Sequence, residues 1–270
     1  MKTRNGFVSN SSSSSFIIVF PKEPKSSKDV LDLMFNGKEG GLSVYDSEGL
    51  SYNQISEIVY NDIKNTTRIT KHEDLIDLFS RRYNYSPKQG HSRIMGISTD
   101  SLGGQWYEQH TKYWGLDQEL LFKYRDLVIE HEIESNKIQE AQWKIEREWK
   151  TKNPEPKYAY SNGINSITKK KYTKKEIDTY DTWSKNKKQY LENHKEYKQL
   201  ENKRKESFKY WDQQNILEKE LGALDAKAFI KDNKKNFIYI VEYADDNHTG
   251  CTMEHGNVFK NIEHIRISNH

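Results

Sequence analysis

A chain of 270 residues with 34% hydrophobic and 31% charged residues and a mean hydropathy of −1.02 is too polar for one compact core of that size, so much of it must be extended and solvated. Forty-three Lys and Arg against 40 Asp and Glu leave a net charge of +3, which excludes a global field steering the protein to nucleic acid or membrane; any such binding needs a local patch. The single cysteine, Cys251, excludes an internal disulfide and fits a reducing compartment, and no apolar run has the length of a signal-peptide core or of a membrane span of roughly 20 residues, so the expectation is a soluble intracellular protein with no membrane partner.

In chain order, Phe16 to Phe20 is a continuous aromatic and β-branched run ended by Pro21, the pattern of a strand buried on both faces. Ser26 or Ser27 can cap a helix over Asp29 to Phe35 that stops at Asn36-Gly37. A second helix opens with the capping-box pattern Ser51-x-x-Gln54 and carries Ile55, Ile58, Val59, Asp62 and Ile63. A third, around Glu73 to Ser80, has Leu75, Ile76 and Phe79 on one side. From Ser86 to Gly104 the chain reads as loop-rich, with a short strand over Arg93 to Ile97.

The middle of the chain is different in kind. Leu120, Tyr124, Leu127, His131, Ile138, Ala141, Ile145 and Trp149 fall three and four apart, with Glu134 the one mismatch, which is coiled-coil spacing. Pro154 and Pro156 end this arm, and Asn162-Gly163 lies in the turn region that follows. The spacing restarts with Ile177, Tyr180, Ser184, Lys187, Tyr190 or Leu191, His194, Tyr197, Leu200, Arg204, Phe208 and Trp211. Each arm would be roughly 50 Å long, and neither is stable alone with so thin an apolar stripe, so the two must pair as an antiparallel hairpin. Ile216 to Ile230 reads as a further helix.

Asn236 to Ala244 is the second strong strand, and only Phe16 to Phe20 matches its apolar character. The two are expected to be neighbours in one sheet. The predicted fold class is therefore α+β: a small mixed or antiparallel sheet formed by both termini, with a long antiparallel, coiled-coil-like helical hairpin inserted. Residues 1–110 and 223–270 would form one domain, and 111–222 the projecting hairpin, with a basic tip near 150–175.

The C-terminus is chemically dense. Four of the nine histidines fall between His248 and His270, with Asp245, Asp246, Glu254, Arg266 and the thiol. As catalytic candidates His255, His264, Arg266 and His270 could supply acid, base or charge-neutralising groups; Asp246, His248 and His255 are weak metal candidates whose spacing obeys no metal-site rule. Asp245 to Gly250 also has the composition of a hairpin turn, and His264-x-Arg266-x-Ser268 alternating with Ile265 and Ile267 reads as a half-buried final strand.

Five serines, Ser11, Ser12, Ser13, Ser14 and Ser15, precede the first strand. They are either a flexible tail or an ordered ligand-binding loop, with Arg4 and Asn10, whose amides and hydroxyls ring an anion; no Gly-x-x-x-x-Gly-Lys-Ser/Thr pattern follows. If the two strong strands pair, one of Asp245, His248, His255, His264, Arg266 and His270 should come within hydrogen-bonding distance of this tract. At the hairpin tip, eight lysines between Lys150 and Lys175 face one acid, Glu155. There Lys169, Lys170, Lys171, Lys174, Lys175 and Tyr172 are candidates for holding phosphates and stacking on bases, against the alternative of a solvated tip.

The opening Arg4-Asn5-Gly6-Phe7-Val8-Ser9-Asn10 through the serines to Phe16 resembles the start of a group of mostly uncharacterised proteins from tailed bacteriophages and some bacteria. These begin Gly-Phe-Val-Ser-Asn-Ser-Ser-Ser-Ser-Ser-Phe. The ending Glu254-His255-Gly256 through Arg266-Ile267-Ser268-Asn269-His270 is similar to endings of the same group. The likeness covers the two ends and leaves the hairpin outside. It implies a phage-encoded accessory protein, in the host cytoplasm or virion-associated, and no reaction. The leading expectation is thus a protein that acts by binding a host or phage protein or another ligand, with the serine loop and the His/Arg-rich C-terminus as its pocket. The alternatives are an enzyme acting on a phosphorylated or nucleotide substrate, and a virion component or nucleic-acid-binding protein using the basic tip. No cofactor is indicated.

Overall fold

The apolar run after the serines is the centre of the sheet. In the computed structural model, which describes residues 13–42, 44, 49–83, 112–156, 171–244 and 247–268, strand β1 (Ser13–Phe20) lies between β4 (Phe237–Ala244) and β5 (Glu263–Ser268), antiparallel to both. Phe16 pairs with Val241 on one side and Arg266 on the other. Because both neighbours are strands and both faces are covered, every residue from Phe16 to Phe20 is buried, each such side chain contributing about 1.5–3 kcal/mol.

Side chains alternate across the pleat, and the two faces pack against different helices. Phe16, Ile18 and Phe20, with Tyr239, Val241 and Tyr243 of β4, meet Val30 and Met34 of α1 (Ser27–Phe35), Ile55, Val59 and Ile63 of α2 (Tyr52–Ile63), and Met253 of α8 (His248–His255). Ile17, Val19, Ile238, Ile265 and Ile267 meet Leu75, Phe79 of α3 (Ile76–Arg81), and Ala226 and Phe229 of α7 (Phe208–Asp232). The close approach of α7 to α3 depends on Gly222, where a Cβ would lie 2.6 Å from the Ser80 backbone nitrogen.

The local signals act as the sequence suggests. Ser26 caps α1 by accepting from the Asp29 N–H at 3.2 Å, and the helix ends at Asn36 and Gly37, both with positive φ. Ser51 and Gln54 form a reciprocal capping box on α2. A two-residue ladder joins β2 (Gly41–Leu42) to β3 (Leu50–Ser51). The expected loop from Ser86 to Gly104, with its strand at Arg93 to Ile97, lies outside the described residues.

Two expectations are corrected here. The first strand begins at Ser13 and not at Phe16, because Ser13, Ser14 and Ser15 continue the ladder opposite Ala244, Tyr243 and Glu242. The hairpin turn at Asp245 to Gly250 is also replaced: β1 separates β4 from β5, so the connection must cross the sheet. Residues 248–255 do so as helix α8, opened by Asn247, whose side chain accepts from the Gly250 N–H at 2.8 Å.

The described residues up to Tyr124 and from Asn215 onward form one compact unit; Arg125–Gln214 form the other. In the second unit, α4 (Gln118–Lys152) supplies the first arm, and α5 (Lys174–Asn193), α6 (Lys195–Glu206) and the start of α7 supply the return. Trp149 packs on Trp183 and Tyr190, Glu146 pairs with Lys187 at 2.6 Å, and His131 stacks on Tyr210. Higher numbers on one arm meet lower numbers on the other, so the arms are antiparallel. The seam is rotated from the expected one: Val128 and Gln142 are buried where Leu127 and Ala141 were expected, and in the first unit Leu121 replaces Leu120. The return arm is not one helix either. It breaks at His194, which is extended (ψ 114) and turns its Nδ1 to accept from the Tyr197 N–H, and again at Ser207; the helix expected from Ile216 is the continuation of α7 from Phe208.

Candidate functional site

Strand alternation puts Ser14 on the same face of the sheet as Phe16, and β5 places Arg266 and His264 on that face too. Helix α8 completes the group. Its first turn is pressed onto the end of β4, where a Cβ on Gly250 would lie 1.8 Å from the Ala244 carbonyl oxygen. Only glycine permits this approach, and it turns Thr252, Met253 and Glu254 inward.

Glu254 is the hub. Its side chain is 0% exposed, and its Oε1 accepts from the Ser14 hydroxyl at 2.8 Å and from Arg266 Nη2 at 3.4 Å. Arg266 Nε donates to Ser14 Oγ at 3.1 Å, and the guanidinium lies over the Phe16 ring at 5.8 Å. Ser14 is therefore both donor and acceptor in a closed three-membered ring of polar groups, two of which, Ser14 and Glu254, are fully buried. His255, at the end of α8, brings Nε2 to 3.9 Å from Glu254 Oε2. Two residues before Glu254 on α8, the buried Thr252 hydroxyl has no partner among the described residues.

His264 is close in sequence to this ring but differs in character. Its Nδ1 is 3.0 Å from the Ile262 carbonyl oxygen, an acceptor, so Nδ1 carries the proton. Burial, reinforced by the nearby Arg266 charge, pushes the imidazole below its usual pKa. A buried, neutral histidine tied to backbone is a packing residue, and this weakens its candidacy as an acid or base.

The sequence candidates divide accordingly. Ser14 and Arg266 are brought together, with His255 beside Glu254. Ser13 and Ser15 alternate to the opposite face, and Ser14 and Ser15 are paired on both sides of β1, so their amides belong to the sheet ladders and do not form an anion nest. Arg4, Asn10, Ser11, Ser12, Asp246 and His270 lie outside the described residues. His248 and His255 sit at opposite ends of α8, and among the described residues no group of three His, Cys, Asp or Glu side chains is placed to hold a metal. At the hairpin tip, Tyr172 is buried while Lys171, Lys174 and Lys175 are exposed; Lys169 and Lys170 lie outside the described residues. No helix among the described residues is long and apolar enough to cross a membrane.

The residue that sequence reasoning missed is Glu254. Its partner is 240 positions away, and only the Asn247 cap signals the helix that delivers it. Compared with known protein families, curated proteins and solved structures, the chain matches none.

Proposed function

We propose that this protein acts by binding, and that its terminal sheet receives an anionic group of a ligand or partner at Arg266. The observation that carries the reading is the way Arg266 is gripped from within. Ser14 engages Nε and Glu254 engages Nη2, the side chain stays 18% exposed, and Nη1 has no partner among the described residues. A guanidinium whose orientation is fixed on its inner edge presents a planar donor pair without further loss of rotamer freedom, the arrangement suited to phosphate or carboxylate. The resemblance of the chain's opening and ending supports a phage-encoded accessory role, in the host cytoplasm or on the virion.

The test is calorimetric titration of the full chain with inorganic pyrophosphate and with a glutamate-rich peptide. Binding of either probe, weakened at least tenfold by Arg266→Lys with the helical circular dichroism unchanged, is the expected result. Equal affinity in the variant, or no heat with either probe, would remove Arg266 as a binding group and leave the ring a packing device.

A further inference from the structure

Among the carboxyl groups of helix α7, Glu218 and Asp225 lie seven residues apart and so two turns along one face. Each has a tyrosine hydroxyl against it, but the two settings differ. Asp225 is completely buried, with the Tyr83 hydroxyl and the Leu116 N–H at 3.3 Å as donors and the Arg82 charge nearby. Burial raises this carboxyl above its ordinary value, and these donors and the Arg82 charge act against that rise. Tyr83 in turn accepts from the Gly115 N–H at 2.5 Å, so this hydroxyl is satisfied in both directions.

Glu218 has no such set of donors. Its neighbour is the Tyr124 hydroxyl, 2.9 Å from Oε1, and that same hydroxyl lies 2.5 Å from the Tyr83 carbonyl oxygen. A hydroxyl has one proton, and a carbonyl can only accept. The shorter contact takes the tyrosine proton. The Tyr124–Glu218 contact is then attractive only if the carboxyl group supplies a proton of its own.

We propose that Glu218 is held as a neutral carboxylic acid that donates to the Tyr124 oxygen, a proton-dependent latch running from α7 through Tyr124 of α4 to the Tyr83 carbonyl at the end of the α3 segment. Loss of that proton sets a carboxylate against a hydroxyl already committed to the carbonyl, and loosens the three elements from one another. Burial independently pushes Glu218 above its ordinary value of 4.5, against the lowering that a tyrosine donor alone gives, and pushes the Tyr124 phenol far above its usual range, so tyrosine is not the group that ionises. The titratable group facing Glu218 is Tyr124 from α4, whose phenol in turn feels Tyr83 from the segment after α3.

The sign follows from linkage. A carboxyl whose folded pKa lies above its unfolded value contributes stability that is fully present below the unfolded value of 4.5 and is lost as pH rises through the folded value, by up to tenfold in the folding constant per pH unit between the two. Glu218→Gln replaces the acid by an amide that donates to Tyr124 at every pH, so it should remove this slope. Two measurements on the full chain decide. Site-assigned carboxyl-carbon NMR should show Glu218 titrating above 4.5, and a midpoint at or below 4.5 overturns the proposal. The protection of the β1 amides, as exchange rates corrected for their intrinsic pH dependence between pH 4 and 8, should fall more steeply with pH for wild type than for Glu218→Gln, and parallel curves overturn it. If the glutamine variant does not fold, the carbon titration of the wild type decides alone.

Discussion

Removing Arg266 should cost more than neutralising Glu254, although both changes break the same ion pair. In Arg266→Met the apolar stem is kept, but a carboxylate with 0% side-chain exposure loses its guanidinium partner while keeping the Ser14 hydroxyl at 2.8 Å from Oε1. Breaking a buried pair from one side costs up to roughly 3–5 kcal/mol because the remaining charge loses its main compensation. In Glu254→Gln the stranded group is Arg266, 18% exposed and still bonded to Ser14 at 3.1 Å. Its ion-pair contact is a long 3.4 Å, so the loss should be about 1–2 kcal/mol. The double variant Glu254→Leu with Arg266→Met leaves no charge behind and should recover most of the loss. Because the chain has two compact units, a global melt would mix their transitions; hydrogen exchange of the central β1 amides reports the sheet alone. Slower β1 exchange in Arg266→Met than in Glu254→Gln would refute the placement of Glu254 as the more deeply desolvated partner.

Three further outcomes follow from the same geometry. Gly250→Ala forces a Cβ to 1.8 Å from the Ala244 carbonyl oxygen, and Gly222→Ala one to 2.6 Å from the Ser80 nitrogen; both should destabilise the sheet unit by about 2 kcal/mol or more, whereas Gly41→Ala, with a Cβ 2.8 Å from the Leu50 carbonyl oxygen, should disturb the small β2–β3 ladder and change β1 exchange less. His264, whose folded pKa is depressed by burial, contributes stability that is present above its ordinary 6.5 and lost as pH falls below it; His264→Gln should flatten that acid limb in β1 exchange. Reversing Lys169, Lys170 and Lys171 to Glu should abolish and salt-desensitise any binding of single-stranded DNA by the tip, and unchanged affinity would dismiss the tip as a nucleic-acid surface.

How much of this was legible depends on whether the signal was local. Phe16 to Phe20 and Phe237 to Tyr243 are apolar enough to announce central strands, and the caps at Ser26 and Ser51 act through residues three positions on, so α1 and α2 could be read directly. The alternation of Ile265 and Ile267 with His264 and Arg266 gave β5 for the same reason. The serines are the opposite case. A polar tract has no strand propensity of its own, and Ser13 to Ser15 are held extended only because Glu242 to Ala244 and Ile267 to Ser268 lie alongside. The break at His194 is equally silent, since Tyr190, His194 and Tyr197 keep helical spacing through it.

The inward-facing carboxyl groups were illegible for one shared reason. Glu254, Asp225 and Glu218 each sit on a helix among other charged residues, where composition predicts solvation. Their partners Ser14, Tyr83 and Tyr124 are 240, 142 and 94 positions away. No window of sequence contains both members of any pair. Each tie also joins different elements: β1 to α8, the end of α3 to α7, and α4 to α7. An apolar contact tolerates sliding, whereas a hydroxyl facing one carboxylate oxygen is satisfied in a single register. In a chain this polar, with thin apolar stripes on α7 and α8, such ties fix which face of each helix turns inward. Glu254 then differs from the other two in one respect: its network reaches a partly exposed arginine, and a ring that serves packing on its inner side can serve recognition on its outer side.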